Sequence, residues 1–465
     1  MGEMRASDRH PRLSARLACC AVLAALAALG IVVQPASAIM PPGSAAAHVP
    51  LITLPRPPGT PLSRSAGSGA IRSKNWCGYA ATSGPYISVR ATWAQPAILA
   101  TSEAGSNVAF WVGLDGTSDL NPTVEQIGID CSWSGNRVTY FAWYEMFPAH
   151  AHPIPSSSIT VHAGDVFTAS ITYGTDFTLT LTDQTTGKSF TTQQTLTVAQ
   201  RLSAEIIAEA SSNALGVLPL ADFGLVAFSD CTVDGQPLSD SSPEVIDLVN
   251  SDGTWELAVP SALGGDGEDF SVATDHTPPS TIAGGLAASA SLGWINHAQT
   301  VTLTSADNPG GFGVYPAYYT VDGGSTQTSA APFAVSAAGS HVVTYWSVDN
   351  AGNVEPAHAG YVNIDTTAPT TRVDAATVKH ERTVRLRCKV KDRPPSCGNA
   401  IVTLRIFQGN TLKKRLALGS CVTNAFFPTA WKCTLAKGSY TMKLYATDAA
   451  GNVQSKVGAA TLTVK

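Results

Sequence analysis

The sequence predicts an all-β protein, one antiparallel β-sandwich followed by two smaller β-sandwiches, on three observations. Between about residues 73 and 260, short β-rich runs alternate with turn residues at sandwich spacing, and no amphipathic helix interrupts them. Residues 166–173 and 177–182 flank Gly174-Thr175-Asp176, which reads as a hairpin with one apolar and one threonine face. Beyond residue 275 the chain repeats itself. Asp275-His276-Thr277-Pro278-Pro279 returns as Asp365-Thr366-Thr367-Ala368-Pro369, and Asp349-Asn350-Ala351-Gly352-Asn353-Val354 returns as Asp448-Ala449-Ala450-Gly451-Asn452-Val453. A unit of about 90 residues has the size of one small sandwich, and two copies exclude a long solenoid.

With 465 residues, 44% hydrophobic and only 14% charged, the chain can bury several cores, so disorder throughout is excluded. Arg5, Arg9, Arg12 and Arg16 precede an apolar run over residues 17–33, and Ala36-Ser37-Ala38 follows. This predicts a signal peptide over residues 1–38, cleavage after Ala38, and a secreted, extracellular protein with no membrane span once the signal is removed. Residues 39–72 are rich in Pro, Ala, Ser and Gly and hold Arg56, Arg64 and Arg72, the composition of a linker or pro-segment. The expected domains are residues 73–262 for the large sandwich, 275–365 for the first small one and 366–465 for the second.

Cysteine use fits export. Cys388, Cys397, Cys421 and Cys433 are expected to form two disulfides in the last domain, while Cys77, Cys131 and Cys231 leave one thiol over. No Cys-x-x-Cys pair suggests a zinc ribbon or a thiol redox centre.

Charge divides the chain sharply. Residues 73–260 hold 19 Asp and Glu against five Lys and Arg, residues 275–365 hold no Lys or Arg, and residues 366–465 hold 17 Lys and Arg against four acids. A carboxylate-rich surface sheds charge as pH falls toward about 4, which suits an acid medium. Arg382, Arg385, Arg387, Lys389, Lys391 and Arg393 crowd one short run. On a strand Arg385, Arg387, Lys389 and Lys391 share a face, so an anionic partner such as cell-wall polymer or acidic polysaccharide is expected there. Nucleic acid is not expected of an exported chain.

Two separated stretches carry the chemistry. Trp111-Val112-Gly113-Leu114-Asp115-Gly116 with Glu125-Gln126-Ile127-Gly128 is one, and Ala204-Glu205-Ile206-Ile207-Ala208-Glu209 is the other. Each reads as strand, and residues two apart on a strand share a face, so an amide and a carboxylate could converge on one substrate carbonyl. With Asn75-Trp76 and Trp143-Tyr144-Glu145, these motifs resemble the glutamic peptidases, or eqolisins, over about residues 75–234.

The resemblance implies a concanavalin- or lectin-like sandwich with acid endopeptidase activity. It puts Glu209 in the place of the general base and Gln126 in the place of the residue that orients water and holds the oxyanion. Asp115, Asp130, Glu145 and Glu205 match acids that line the family's cleft, and Trp76, Trp111 and Trp143 its aromatic floor. The sequence departs from fungal relatives at Ile206, usually aromatic, at Ala210, usually an acid, and at Ile127, usually a small hydroxyl residue, which puts subsite preference in doubt. The repeated units look like bacterial Ig-like modules. Polypeptide substrates and no cofactor follow from the same resemblance.

Competing chemistries find little support. His150-Ala151-His152 has alternate-strand spacing for a metal, but no third ligand is near in sequence, and no metal is expected. No Gly-x-Ser-x-Gly elbow, paired Asp-Thr/Ser-Gly motif or phosphate loop is present. The alternative is a non-catalytic, lectin-like or adhesin-like binding protein, since fold alone does not choose between them. A binding module would have no need of both Gln126 and Glu209.

Overall fold

The computed structural model describes Thr53–Leu54 and residues 70–117, 123–213 and 215–465; the signal peptide, its cleavage site, Arg56 and Arg64 lie outside the described residues. The all-β expectation holds, since the only helical turn among the described residues is the 3-10 turn Leu238–Ser241. No helix among them is long and apolar enough to cross a membrane.

Five strands of the large sandwich position the site: β1 (Trp76–Ala81), β2 (Ser106–Leu114), β3 (Val124–Trp133), β4 (Val138–Phe147) and β5 (Ala204–Glu209). They pair antiparallel in the order β4-β3-β2-β5-β1, and Glu244–Val249 continues the sheet beyond β1. The second sheet runs Lys188–Gln194, Phe177–Asp183, Val166–Tyr173, Ser88–Ala94, Leu225–Val233, Phe270–Thr274 and Glu256–Pro260. Glu256–Pro260 pairs with Glu244–Val249, so the ladder is continuous around one edge. The expected hairpin is formed, with Phe177 opposite Tyr173.

Alternation then sorts the side chains. Val112, Ile127, Ile129 and Ile206 of the first sheet pack inward with Trp93, Phe167, Leu179 and Phe228 of the second, forming the main core. Trp76, Trp111, Trp143 and Ile207 point the other way and form a separate cluster on the outer face of the first sheet.

Arg72 departs from the expectation of a linker. Ile71–Ser73 runs parallel to Glu244–Val249, with Arg72 buried opposite Asp247, and Thr53–Leu54 pairs with Arg72 and Ser73. A basic side chain in a Pro-rich neighbourhood reads as linker, but its register neighbour is a buried acid.

Strands between Ser280 and Ile364 form sheets of three and five strands, and those between Thr370 and Val464 form another three and five. In Thr383–Lys391 the inward residues are Val384, Leu386, Cys388 and Val390, while Arg385, Arg387 and Lys391 are exposed. The two expected disulfides are not formed, and all seven described cysteines are free thiols. Cys388 lies opposite Phe427, whereas Cys433 follows the far end of the same ladder, so these two cannot meet. The Cys397 and Cys421 thiols donate instead to the backbone oxygens of Asn399 and Leu418.

Candidate active site

Register sets the site's geometry. One cross-strand row reads Ala80, Glu205, Gly113, Gln126, Glu145; the next reads Gly78, Ile207, Trp111, Gly128, Trp143; the third reads Trp76, Glu209, Ala109, Asp130, Phe141. Gln126 and Glu209 therefore occupy the same sheet face, on strands separated by β2, with the Trp111 row between them.

Trp111 lies flat on the sheet because its neighbours have no side chains. A Cβ on Gly113 would stand 2.6 Å from the Trp111 ring, and one on Gly128 would stand 2.5 Å from the Trp111 Cβ. The Trp76 ring meets Trp111 edge-on at 5.0 Å and fixes it from the other side. So held, the Trp111 indole Nε1 donates to Glu209 Oε2 at 2.8 Å. Asn75 Nδ2 donates to Glu209 Oε1 at 3.3 Å, and Asn75 is itself held by the Ser73 hydroxyl at 3.1 Å. Both oxygens of Glu209 are thereby oriented by neutral N–H donors.

Gln126 is positioned by a different acid. Its Nε2 donates to Glu145 Oε2 at 2.7 Å, and its carbonyl oxygen has no hydrogen-bond partner among the described residues. Asp130, in the Glu209 row, accepts from Asn107 Nδ2 at 2.6 Å and from the Ser211 hydroxyl at 3.2 Å. Glu209, Gln126, Glu145, Glu205 and Asp130 are all essentially without solvent exposure.

Asp115 and Glu205 part company with this group. Asp115 accepts backbone N–H bonds from Gln200, Arg201 and Leu202 at 2.9, 2.7 and 2.6 Å, tying down the segment that leads into β5. The Ser203 hydroxyl approaches Glu205 without reaching hydrogen-bond geometry, and burial, followed by the charges of Asp115 and Glu125, pushes the Glu205 carboxyl well up. Glu125 points into the same end of the sandwich, where burial and then Asp115 raise it to about 9. His152 stacks on Tyr144 at 5.1 Å.

The geometry brings Glu205, Glu209, Gln126, Glu145, Asp130 and the three tryptophans of rows two and three onto one face, and leaves Asp115 at the end of β2, bound to the segment before β5. Sequence reasoning missed the donors. Asn75 was visible only as part of a motif, and Asn107 and Ser211 carried no signal, because each acts across strands distant in the chain.

Residues 74–267 match the model of the peptidase A4 family. The segment is a peptidase A4 domain, of the glutamic peptidase family that the motifs resembled. The match supports a glutamic endopeptidase, a hydrolase acting on polypeptides, for that segment of the chain. Similar solved structures include scytalido-glutamic peptidase with a transition-state analog inhibitor, at 26% identity over 43% of this chain and 98% of that one, with a TM-score of 0.38. Aspergilloglutamic peptidase from Aspergillus niger is 27% identical over 37% of this chain and 100% of that one, with a TM-score of 0.32. Fibronectin(III)-like modules of Clostridium thermocellum CbhA are 13% identical over 40% of this chain and 94% of theirs, with a TM-score of 0.24. The search of curated proteins found no match. The peptidase A4 domain thus takes in all three rows of the site, from Trp76 on β1 to Glu209 on β5.

Proposed function

We propose that the peptidase A4 domain is a secreted, acid-active endopeptidase in which Glu209 is the general base and Gln126 the oxyanion donor. The observation that carries this is the fixing of the Glu209 carboxylate by Trp111 Nε1 and Asn75 Nδ2, on the face that also holds the Gln126 amide against Glu145. Hydrolysis needs an activated water and a donor for the developing negative oxygen. Glu209 takes the proton of a water that Gln126 Oε1 orients, and the hydroxide adds to the scissile carbonyl carbon. The Gln126 N–H not engaged by Glu145 donates to the oxyanion. Glu209 then returns the proton to the leaving amine as the C–N bond breaks. Glutamate as a residue type has a reference pKa of about 4.3, which makes it a base suited to an acid medium. The test is digestion of casein at about pH 4 by the parent and by a folded Glu209→Gln protein; retention of activity within about tenfold of the parent would leave the binding-module reading in its place.

Glu209 is fully buried, so a polypeptide reaches it only after something moves. Release in acid of a pro-segment within residues 39–72 is the movement proposed, and the pairing of Thr53–Leu54 with Arg72 and Ser73 fits it. Amino-terminal sequencing after an acid shift checks it: full activity from a chain that still starts at Ile39 would overturn it.

For the basic tail, an anionic polymer fits the exposed Arg385, Arg387 and Lys391 and the Phe426 ring, over which Arg387 and Lys389 lie at 4.4 and 5.4 Å. Retention on cell wall should fall as salt rises, since exposed charges are screened beyond about 8 Å at physiological ionic strength. Salt-independent retention would count against it.

A further inference from the structure

The repeated motifs form the same device twice. In each repeat the linker acid, Asp275 or Asp365, accepts the N–H of the residue two on, at 3.1 and 3.0 Å. In each, Asn353 or Asn452 gives its backbone N–H and its side-chain N–H to Asp349 or Asp448, and the same side chain donates to the linker acid's backbone oxygen. A third acid joins each pair, giving Asp275, Asp307 and Asp349 in one repeat and Asp365, Asp392 and Asp448, with Cys397 beside them, in the other.

The third acids differ. Asp307 is satisfied by the backbone N–H groups of Asn308 and Gly313 at 2.9 and 2.7 Å. Asp392 is 1% exposed and neither of its oxygens has a hydrogen-bond partner; the Arg393 N–H beside it does not reach bonding geometry. Among the described residues no Lys or Arg forms an ion pair with Asp365, Asp392 or Asp448, although the surrounding domain is strongly basic. A buried carboxylate left without donors beside two more carboxylates calls for a positive partner.

We propose that Asp365, Asp392 and Asp448 bind a hard divalent cation, Ca²⁺, at the start of the last sandwich. One ligand atom from each lies within 4.8 Å of the others. Oxygens on one Ca²⁺, each at about 2.3–2.6 Å from it, span that separation. The Cys397 thiol donates to the Asn399 oxygen and its sulfur accepts the Ala449 N–H, so the set offers three carboxylates to a hard ion. The ligands come from the linker, the residue after Thr383–Lys391 and the last residue of Gly438–Asp448. Cation binding therefore fastens the linker to the sandwich that follows it.

Calorimetric titration of the metal-stripped full chain with CaCl₂, with thermal unfolding alongside, tests this. The expected result is a saturable site and a rise in Tm on adding Ca²⁺, both lost in Asp392→Asn. That variant should unfold at or above the Tm of the metal-stripped parent, because it removes a buried charge, which separates loss of the site from loss of the fold. Asp307→Asn should leave the titration unchanged. A parent that does not respond to Ca²⁺, binding that survives Asp392→Asn, binding lost in Asp307→Asn instead, or preference for Zn²⁺ abolished by Cys397→Ser would each overturn it.

Discussion

Glu205 and Glu209 are the same residue type on the same strand, face the same way and are both fully buried. Their donors separate them. Glu209 accepts two N–H groups, from Trp111 and Asn75, whereas Glu205 has none in bonding geometry and sits near Asp115 and Glu125. A buried carboxylate is tolerated in water-free surroundings either by accepting hydrogen bonds or by keeping its proton. Four residues along one strand, this domain uses both solutions, and it is the donor-rich position that suits a base aimed at water.

Breaking the contrast at Glu209 should have the largest effect. Glu209→Gln keeps shape and removes the base, so kcat should fall by roughly 10² to 10⁴. Glu205→Gln, which mimics a carboxyl already holding its proton, should leave kcat within about tenfold and mainly move the pH profile. Kinetics on a peptide substrate at about pH 4 decide the matter; equal losses in the two variants would erase the distinction between them.

Gln126→Ala should lose on the order of 10² to 10³ through the oxyanion. Because Gln126 and Glu209 act on one transition state, the double variant should fall far short of the product of the single losses. Fully multiplicative losses would mean that the two residues do not share a step. Glu145→Gln should cost less, since it loosens the Gln126 amide without removing it.

Trp111→Phe sharpens the contrast from the donor side. It keeps an aromatic ring against Trp76 but removes the five-membered part of the indole, and with it the Nε1–H that Glu209 Oε2 accepts. A hydrogen bond to a charged group contributes about 1.5–3 kcal/mol, so kcat/KM should drop by roughly ten- to a hundredfold. Unchanged kcat/KM with unchanged Tm would show that the indole positions nothing.

Much of this was legible in the chain, for reasons that differ by residue. The hairpin at residues 166–183 was visible because pattern and turn lie together, and the faces of β2, β3 and β5 followed from alternation. Gln126 and Glu209 stood out through the ordered motifs around them. Asn75 did not, because its amide meets Glu209 across 134 residues of sequence. Asp115 read as a cleft acid, yet its oxygens take three backbone N–H groups of the segment before β5, a use that no local pattern announces. The four C-terminal cysteines read as bridges because export favours them, but the ladder holds Cys388 and Cys433 far apart. The repeated Asp and Asn motifs were plain, whereas the part played by Asp392 depends on a strand end lying next to a linker.

The smallest effect should appear in stability. In the folded domain Glu125 is raised from 4.5 to about 9, by burial and then by Asp115, and Glu205 is raised by the same two influences. Between about pH 4.5 and 9 the folded state therefore keeps protons that the unfolded chain has released. Stability falls with rising pH wherever the folded state binds more protons, so the contribution of Glu125 is fully present in acid and is lost as pH rises toward 9, and Glu205 acts in the same direction. The Tm of the peptidase A4 transition should decline from about pH 5 to pH 8. Glu125→Gln, which cannot release a proton, should match the parent in acid, exceed it at about pH 8 and show a shallower decline. A parent Tm that climbs over this range, or a Glu125→Gln protein with the parent's slope, would mean that this end of the sandwich does not hold its acids neutral, and the contrast with Glu209 would lose its second half.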